Sequence, residues 1–447
     1  MRCGFYEMDI TPRLGDNIPG YFVVRPASGI RDPLYCKAAA FEDEAGGAFL
    51  LVAMDAIETD GRLTERARAR LTELTGIPGE HMMFASTHSH TGGPLDDFVP
   101  QTSNDEYRNW LADRAADAAY NAWRRREPAK MAFGSCEERS ISFNRRYLMK
   151  DGSMRTNPGF TPEAIAAPLG EIDPEVGIMK FVRTDGSLMG VITNFACHLD
   201  TVGGNWFCAD YPGELSRVLK KVYGEEVVSL FLTGACGNIN HYDFMHRPYS
   251  YYADANPPHY VRMGRVLAGD VIRALAQMDT FEEAPVVKCA CGSFTGNVRE
   301  PDEESIRAAK ELLAAHPYVP VISREGGTSA GDADLVARHY ARSLLDVAAD
   351  PNKTLTIPAQ AARVGDVLIA GMPCELFVEF GLDLKARDGF PHTMVSTLTN
   401  AHFGYIATRE AFDEGGYETT ISGDTKMAPR TGYDMVEATL KLAKELA

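Results

Sequence analysis

No run of apolar residues in this 447-residue chain approaches the roughly 18 that a membrane-spanning helix requires. Positive charge is also short. The chain carries 45 Lys and Arg against 62 Asp and Glu, a formal net charge of −17. Nucleic acid demands a basic face that this balance does not supply, and an anionic lipid surface repels it. Met1 to Thr11 hold Arg2, Glu7 and Asp9 with no apolar leader core. The expectation is a cytoplasmic protein with no nucleic-acid partner and no stable membrane association. The nine cysteines are odd in number and scattered; Cys289-Ala290-Cys291 is too tight for a zinc knuckle, and no second pair completes it. Mostly buried free thiols are expected. Internal repeats and low-complexity linkers are absent as well. With 45% hydrophobic and 24% charged residues, the composition is that of a globular protein, read here as one α/β unit over residues 1–447.

What the chain does have is a series of short apolar strands. Cys36–Phe41 and Ala48–Met54 form a hairpin about Glu44 to Gly47, and Asp55 follows directly. Glu65–Leu74 has helical period. Met82–Ala85 is a strand that runs into Ser86-Thr87-His88-Ser89-His90-Thr91-Gly92-Gly93. Residues two apart on a strand face the same way, so a His-x-His at a strand end aims two imidazoles at one point. Asp105–Trp123 reads as a helix, and 140–175 as irregular. Gly177–Val182 and Leu188–Ala196 make a second hairpin, ending at His198; Val227–Leu232 runs into Gly237-Asn238-Ile239-Asn240. Residues 259–278 read as a helix. The stretch 302–352 reads as an inserted excursion, a lid or a structural addition, with helices Glu303–Ala315 and Asp332–Ala348 about a Gly-rich loop at 326–331. Leu355–Ala361 and Val367–Ala370 form a third hairpin that exits through Pro373-Cys374-Glu375, ahead of a helix over Leu376–Arg387. Met394–Leu398 leads to Asn400 through Tyr405, and Tyr433–Leu446 closes the chain as a helix.

Strand after strand thus ends in a ligand-type residue: Asp55, His88 and His90, His198, Asn238 and Asn240, Glu375, Tyr405. Strand ends hold loop side chains in place, which is where ligands and catalytic groups gather. Two histidines and a carboxylate make a catalytic zinc set with a position left open. Each residue also has a plainer reading, as core histidine, helix-capping acid or packed aromatic.

At these residues the chain resembles the neutral/alkaline, non-lysosomal ceramidase family in its amino-terminal catalytic domain. Asp9-Ile10-Thr11-Pro12 with Gly20-Tyr21, Ser86 to Gly92, Asn144-Arg145, Phe195 to His198, Ala209 to Gly213, Pro373 to Glu375, Asn400 to Thr408 and Tyr417-Glu418 match its motifs in order. The resemblance implies two mixed β-sheets flanked by α-helices. It implies one zinc ion per chain held by His88, His198, Glu375 and Tyr405, with His90 lining the site and Arg145 and Tyr417 around the substrate. The family's serine, often given the nucleophile's role, is Asn240 here. The secretion signal and carboxy-terminal immunoglobulin-like domain of extracellular members are expected to be missing.

The function these readings imply is a zinc-dependent hydrolase of an amide bond in a small molecule rather than membrane ceramide. Water would be the nucleophile, and His90 or Asp55 would accept a proton. Asn240 either stabilises the oxyanion or shapes its loop. An ester, lactone or carbohydrate-derived substrate on the same metal is the alternative, and a non-catalytic zinc-binding protein a third.

Overall fold

The computed structural model describes residues 1–95, 104–323 and 333–447. Side-chain alternation builds its core. In the antiparallel pair Tyr35–Glu42 and Ala48–Met54, Ala38, Ala40, Leu50 and Val52 enter one buried cluster while Ala39, Phe41, Phe49 and Leu51 enter another. A strand with both sets apolar is buried on both faces. Asp43 closes the turn by accepting from the Ala45 and Gly47 amides, a local side-chain turn that fixes the register.

That pair belongs to an eight-stranded mixed sheet. Its order is Val228–Thr233, Leu188–Phe195, Glu175–Arg183, Glu127–Glu137, Arg2–Asp9, Tyr35–Glu42, Ala48–Met54 and Met82–Ser86. The two halves join only through Arg2 and Cys3 opposite Pro128 and Glu127. There the sheet folds over, so that Phe5 of one half packs at 5.3 Å on Phe181 of the other. Gly190 permits this approach: a Cβ there would lie 2.5 Å from the Phe5 ring. A second mixed sheet, Val287–Asn297, Thr354–Val364, Val367–Gly371 and His392–Ser396, closes the shared core with Val364, Val367, Ile369 and Met394. Helices Gly61–Thr75 and Asp105–Arg124 cover one half of the large sheet, and Asp210–Tyr223 and His259–Gln277 the other. Val378–Arg387 and Thr431–Leu446 cover the small one. This is the expected pair of mixed sheets between helices.

Within the two large sheets, three pairs of strands among the described residues are parallel, and each is bridged by a helix, as a parallel connection requires. Their carboxyl ends meet. Thr233 donates its hydroxyl to the Thr87 carbonyl (2.7 Å), and the Thr397 amide bonds the Thr233 carbonyl (2.9 Å). The Asn400 amide bonds the Phe84 carbonyl at 2.7 Å.

Some elements differ from the sequence reading. The stretch 140–175 contains a small antiparallel sheet of Arg146–Met149, Met154–Thr156 and Ile165–Pro168. Strands Arg2–Asp9, Glu127–Glu137 and Val287–Asn297 were not expected. Their exposed positions break the alternation. Helix Asp210–Tyr223 opens on Asp-Tyr-Pro-Gly, which reads as a turn, and Asp210 has φ 55°. The helix after Glu375 starts at Val378, with Glu375 outside it in a two-residue strand paired to Tyr405. The excursion's helices are Glu303–Ala315 and Ala333–Ala349; the loop at 326–331 and Asp332 lie outside the described residues.

Asn194 ties the two sheets together, since its Nδ2 donates to the Leu232 carbonyl (2.9 Å) and to the Val395 carbonyl of the other sheet (2.8 Å). Asn194→Leu keeps the volume and strips both acceptors of their donor. It is expected to cost roughly 2–4 kcal/mol, measured as a lower urea midpoint with an unchanged slope.

Candidate metal centre

His88 follows the strand Met82–Ser86 in a left-handed conformation, φ 73°, which a non-glycine residue adopts only under local constraint. Its amide is held by the Ala56 carbonyl at 2.9 Å, and its Nδ1 lies 2.7 Å from the Ile57 carbonyl. His198 stands beyond the end of strand Leu188–Phe195, with Nδ1 3.0 Å from the Cys236 carbonyl. His90 places Nδ1 3.2 Å from the Gly20 carbonyl. A carbonyl only accepts, so each Nδ1 carries the proton and each neutral ring presents Nε2 as a bare lone pair.

Those lone pairs face one another. His88 Nε2 is 3.0 Å from His198 Nε2 and 3.4 Å from His90 Nε2. Glu375 Oε2 lies 3.2 Å from the first and 3.4 Å from the second, and meets no donor in hydrogen-bonding geometry. Burial first, then the neighbouring positive groups, holds His90 and His198 well below the ordinary histidine value. A proton on one Nε2 bridges a single pair; a divalent cation satisfies all four acceptors together. The ligand atoms of His88, His90 and His198 lie within 4.8 Å of one another, and a nitrogen-rich set with one carboxylate suits a transition-series cation. The residues present fit a metal ion.

Parallel pairing of Glu375 with Tyr405 sets these two side by side, and the phenol is within hydrogen-bonding reach of the Glu375 carboxylate and of Arg145. The Arg145 guanidinium lies 5.4 Å from the Tyr405 ring and 5.1 Å from that of Tyr417. Behind it, Glu418 is fully buried between Arg145 (3.4 Å) and Arg146 (3.2 Å). His88, His90, His198, Glu375, Tyr405, Arg145 and Tyr417 therefore converge.

Two expected residues do not join them. Asp55 continues its strand on the face toward Tyr35, whose amide it accepts at 2.8 Å, and burial lifts its carboxyl to about 6 against the pull of Lys37. Asn240 spends its carboxamide on its own loop, donating to Asn157 at 2.5 Å and accepting from the Tyr242 amide at 2.9 Å. Other groups take their place. His402 lies 2.8 Å from Glu58 and 3.6 Å from Glu375 Oε1. Asp200 faces Tyr21 at 3.4 Å, and burial lifts its carboxyl to about 6 against Arg145. Arg25, fully buried, donates to the His90 carbonyl at 2.6 Å. Spacing by two from His198 and from Asn400 marks Asp200 and His402 in the chain, and Gly20-Tyr21 belongs to the opening motif of the family it resembles; nothing local marks Arg25 or Glu58.

No model of a known family matches the chain. Neutral ceramidase of Pseudomonas aeruginosa is 23% identical to it over an alignment of 489 residues, covering 96% of this chain and 70% of that protein. The crystal structure of neutral ceramidase from P. aeruginosa superposes with a TM-score of 0.74 at 19% identity, over 100% of this chain and 74% of that one. A ceramidase complexed with C2 superposes at 0.71 and 18% identity, over 100% and 75% of the two chains.

This geometry sets two expected outcomes. His88→Ala and His198→Ala should each lower divalent-metal affinity by more than the roughly 10–100-fold lost when a hydrogen-bond partner of a ligand is removed, read by competition with a chromophoric chelator. For Asp55, the unfolded carboxyl ionises near 3.8 and the folded one near 6. Between those values the folded state keeps a proton that the unfolded state has released, so stability falls as pH rises through the window and then levels off. Asp55→Asn should remove that fall, roughly 3 kcal/mol in size, when urea midpoints are compared from pH 4 to pH 8.

Proposed function

The chain belongs to the neutral ceramidase family, and on that footing we propose that it is a zinc-dependent hydrolase of an amide bond in a small polar molecule. The observation that carries the reading is the set of four buried acceptor atoms, three imidazole Nε2 and Glu375 Oε2, converging with no proton donor among them. A zinc ion held by His88, His198 and Glu375, with Tyr405 beside it, would supply a Lewis acid that polarises a carbonyl and lowers the pKa of water.

The chain's own groups do the rest. Burial keeps the Tyr405 and Tyr417 phenols protonated, with pKa values well above the ordinary range; the Tyr405 hydroxyl is turned to the Glu375 carboxylate, which leaves Tyr417 as the O–H donor for a substrate oxygen. Arg145 adds a fixed positive charge in a site closed to bulk water, where such groups act on developing negative charge at no reorganisation cost. Asp200, with a carboxyl near 6, and His90 stand where a proton has to be accepted; Asp55 does not. No covalent nucleophile is present at the position of the missing serine, because the Asn240 amide is engaged in its loop. The Cys236 thiol is buried and held protonated by burial and by Glu375. Water therefore attacks the carbonyl directly, with no acyl-enzyme.

The compact polar substrate is supported by the partly buried groups around the cluster, Tyr21, His90, Asp200 and Tyr417, each of which carries a polar group. A cytoplasmic location is supported by nine unpaired cysteines and the acidic surface. No helix among the described residues is long and apolar enough to cross a membrane.

Metal analysis of purified protein should give about one zinc per chain, and chelation should abolish cleavage of N-acyl compounds in an amide and ester panel. Esters cleaved without any amide would replace the amide reading with an ester one. Rapid-quench kinetics should show no burst, and intact-mass spectra no acyl adduct. An adduct on Cys236 would overturn direct attack by water.

A further inference from the structure

The excursion at 302–352 leaves the small sheet at a closed hairpin. The pairing of Val287–Asn297 with Thr354–Val364 runs out to Asn297 opposite Thr354, and the Val298 amide still bonds the Lys353 carbonyl at 2.9 Å. The sheet is complete without the residues between these two strands, yet that chain is not left in solvent. It returns across the molecule to the segment Ile18–Arg25. The Val24 amide bonds the Val321 carbonyl at 2.8 Å and the Ser323 amide bonds the Val24 carbonyl at 2.8 Å, a parallel bridge about Ile322. Asn205 Nδ2 donates to the Ser323 carbonyl at 2.8 Å. From helix Ala333–Ala349, His339 and Tyr340 pack on the Phe22 ring at 5.2 and 5.7 Å.

The same segment is the wall of the metal centre on its other side. Gly20 takes φ 91°, and its carbonyl meets His90 Nδ1; a Cβ at Gly20 would lie 2.6 Å from that nitrogen. The Tyr21 ring stands 5.8 Å from the His90 ring, and Arg25 holds the His90 carbonyl. Side chains alternate along it: Tyr21 and Arg25 turn to the histidines, Phe22 and Val24 to the excursion. Ile18–Arg25 is irregular chain, with two- to three-residue contacts in place of a sheet. The Ile18 amide closes it on the Arg25 carbonyl at 2.9 Å, and its outer face rests on the excursion. Tyr340 is itself partly buried, and through Phe22 it stands one residue from Tyr21, whose ring faces His90, which brings the excursion to the rim of the centre.

We propose that the excursion is the specificity-determining element of the site: it pins Ile18–Arg25 against the His90 side and, through Tyr340 and Phe22, limits how long an acyl group can extend from the metal centre. The inference rests on the zinc amidohydrolase reading, and it names the substrate class as N-acyl compounds with a short acyl group.

The test uses zinc-loaded full-length protein, with acyl hydroxamates as metal-directed probes. Binding of acetyl, octanoyl and palmitoyl hydroxamates would be measured by calorimetry for wild type, Tyr340→Ala, Phe22→Ala and a variant with residues 301–351 replaced by a short Gly-Ser turn. Wild type should bind the acetyl probe and lose affinity with length. In the variants the affinity for the palmitoyl probe relative to the acetyl probe should rise about tenfold or more, the scale on which pocket walls discriminate alkyl groups, with zinc retained. Hydrolysis of the matching N-acyl substrates is scored alongside. If no amide is cleaved but the length profile still shifts, the excursion's role stands and the amidase reading falls. An unchanged length profile in Tyr340→Ala, Phe22→Ala and the excised variant, with zinc retained, overturns the proposal.

Discussion

Two imidazole nitrogens held 3.0 Å apart with their lone pairs facing are the arrangement on which the rest of this molecule depends. Each ring is turned that way by a backbone carbonyl beyond the end of a parallel strand, Ile57 for His88 and Cys236 for His198. Those carbonyls belong to different strands from the histidines they hold. The ring orientations therefore record the register of both parallel pairs, and a slip of one residue in either would turn an imidazole away. The left-handed backbone at His88 is a local cost of this geometry, and the hydrogen bonds of Thr87, His88 and Ser89 to their neighbours offset it. A cation is the counterpart such a site demands, since bare buried acceptors are costly.

A second buried layer lies behind the first. Glu418 has no exposure and sits between Arg145 and Arg146, and it also accepts from the Thr156 hydroxyl at 2.8 Å; Glu414 lies 2.9 Å from Arg146. Removing three or four charges from water gains little stability as such, because desolvation consumes most of the Coulomb attraction. What the network supplies is position. Arg145 also donates to the Gly237 carbonyl at 2.5 Å, so the guanidinium is fixed to the loop that follows Cys236. The charge facing Tyr405 and Tyr417 cannot drift, and a fixed charge is what a reacting oxygen requires.

Much of this could be read along the chain, and the division is physical. Hairpins with both alternating sets apolar declared themselves, as did the His-x-His at the end of Met82–Ser86, because period-two signals are local. Glu375 and Tyr405 carry weak signals alone; they became legible only as parts of a motif order shared with a family. Asp55 was misplaced because a strand end specifies that a residue is near a loop, not which face it takes. Asn240 was ambiguous because a carboxamide serves a loop as readily as a substrate. Arg25 and Glu58 reach the centre from chain distant in sequence, in segments with no periodicity, so no local pattern points to them, and Tyr21 is marked only by the family's opening motif. Asp200 and His402 were within reach of the same spacing rule that singled out His90.

The lining of the centre bears on substrate in a way that room alone does not. Tyr21, His90, Asp200, Tyr405 and Tyr417 surround the candidate metal centre, keep a small residual exposure, and each carries a polar group. An alkyl chain laid there would displace water from these groups and return no hydrogen bond, at a cost of about 1–3 kcal/mol for each group left unpaired. Burial of each methylene returns about 0.8 kcal/mol, so several methylenes are consumed for every polar group covered. A compact molecule with hydroxyl, amide or amino groups reverses the sign, because it replaces the water contacts one for one. On the proposed function, discrimination against a lipid chain is then strongest close to the four converging acceptors, where the polar groups are densest. It needs no wall there at all. Farther out the polar groups thin and the penalty fades, so any limit on length at the rim has to be steric. That is the region where the 302–352 excursion meets Phe22.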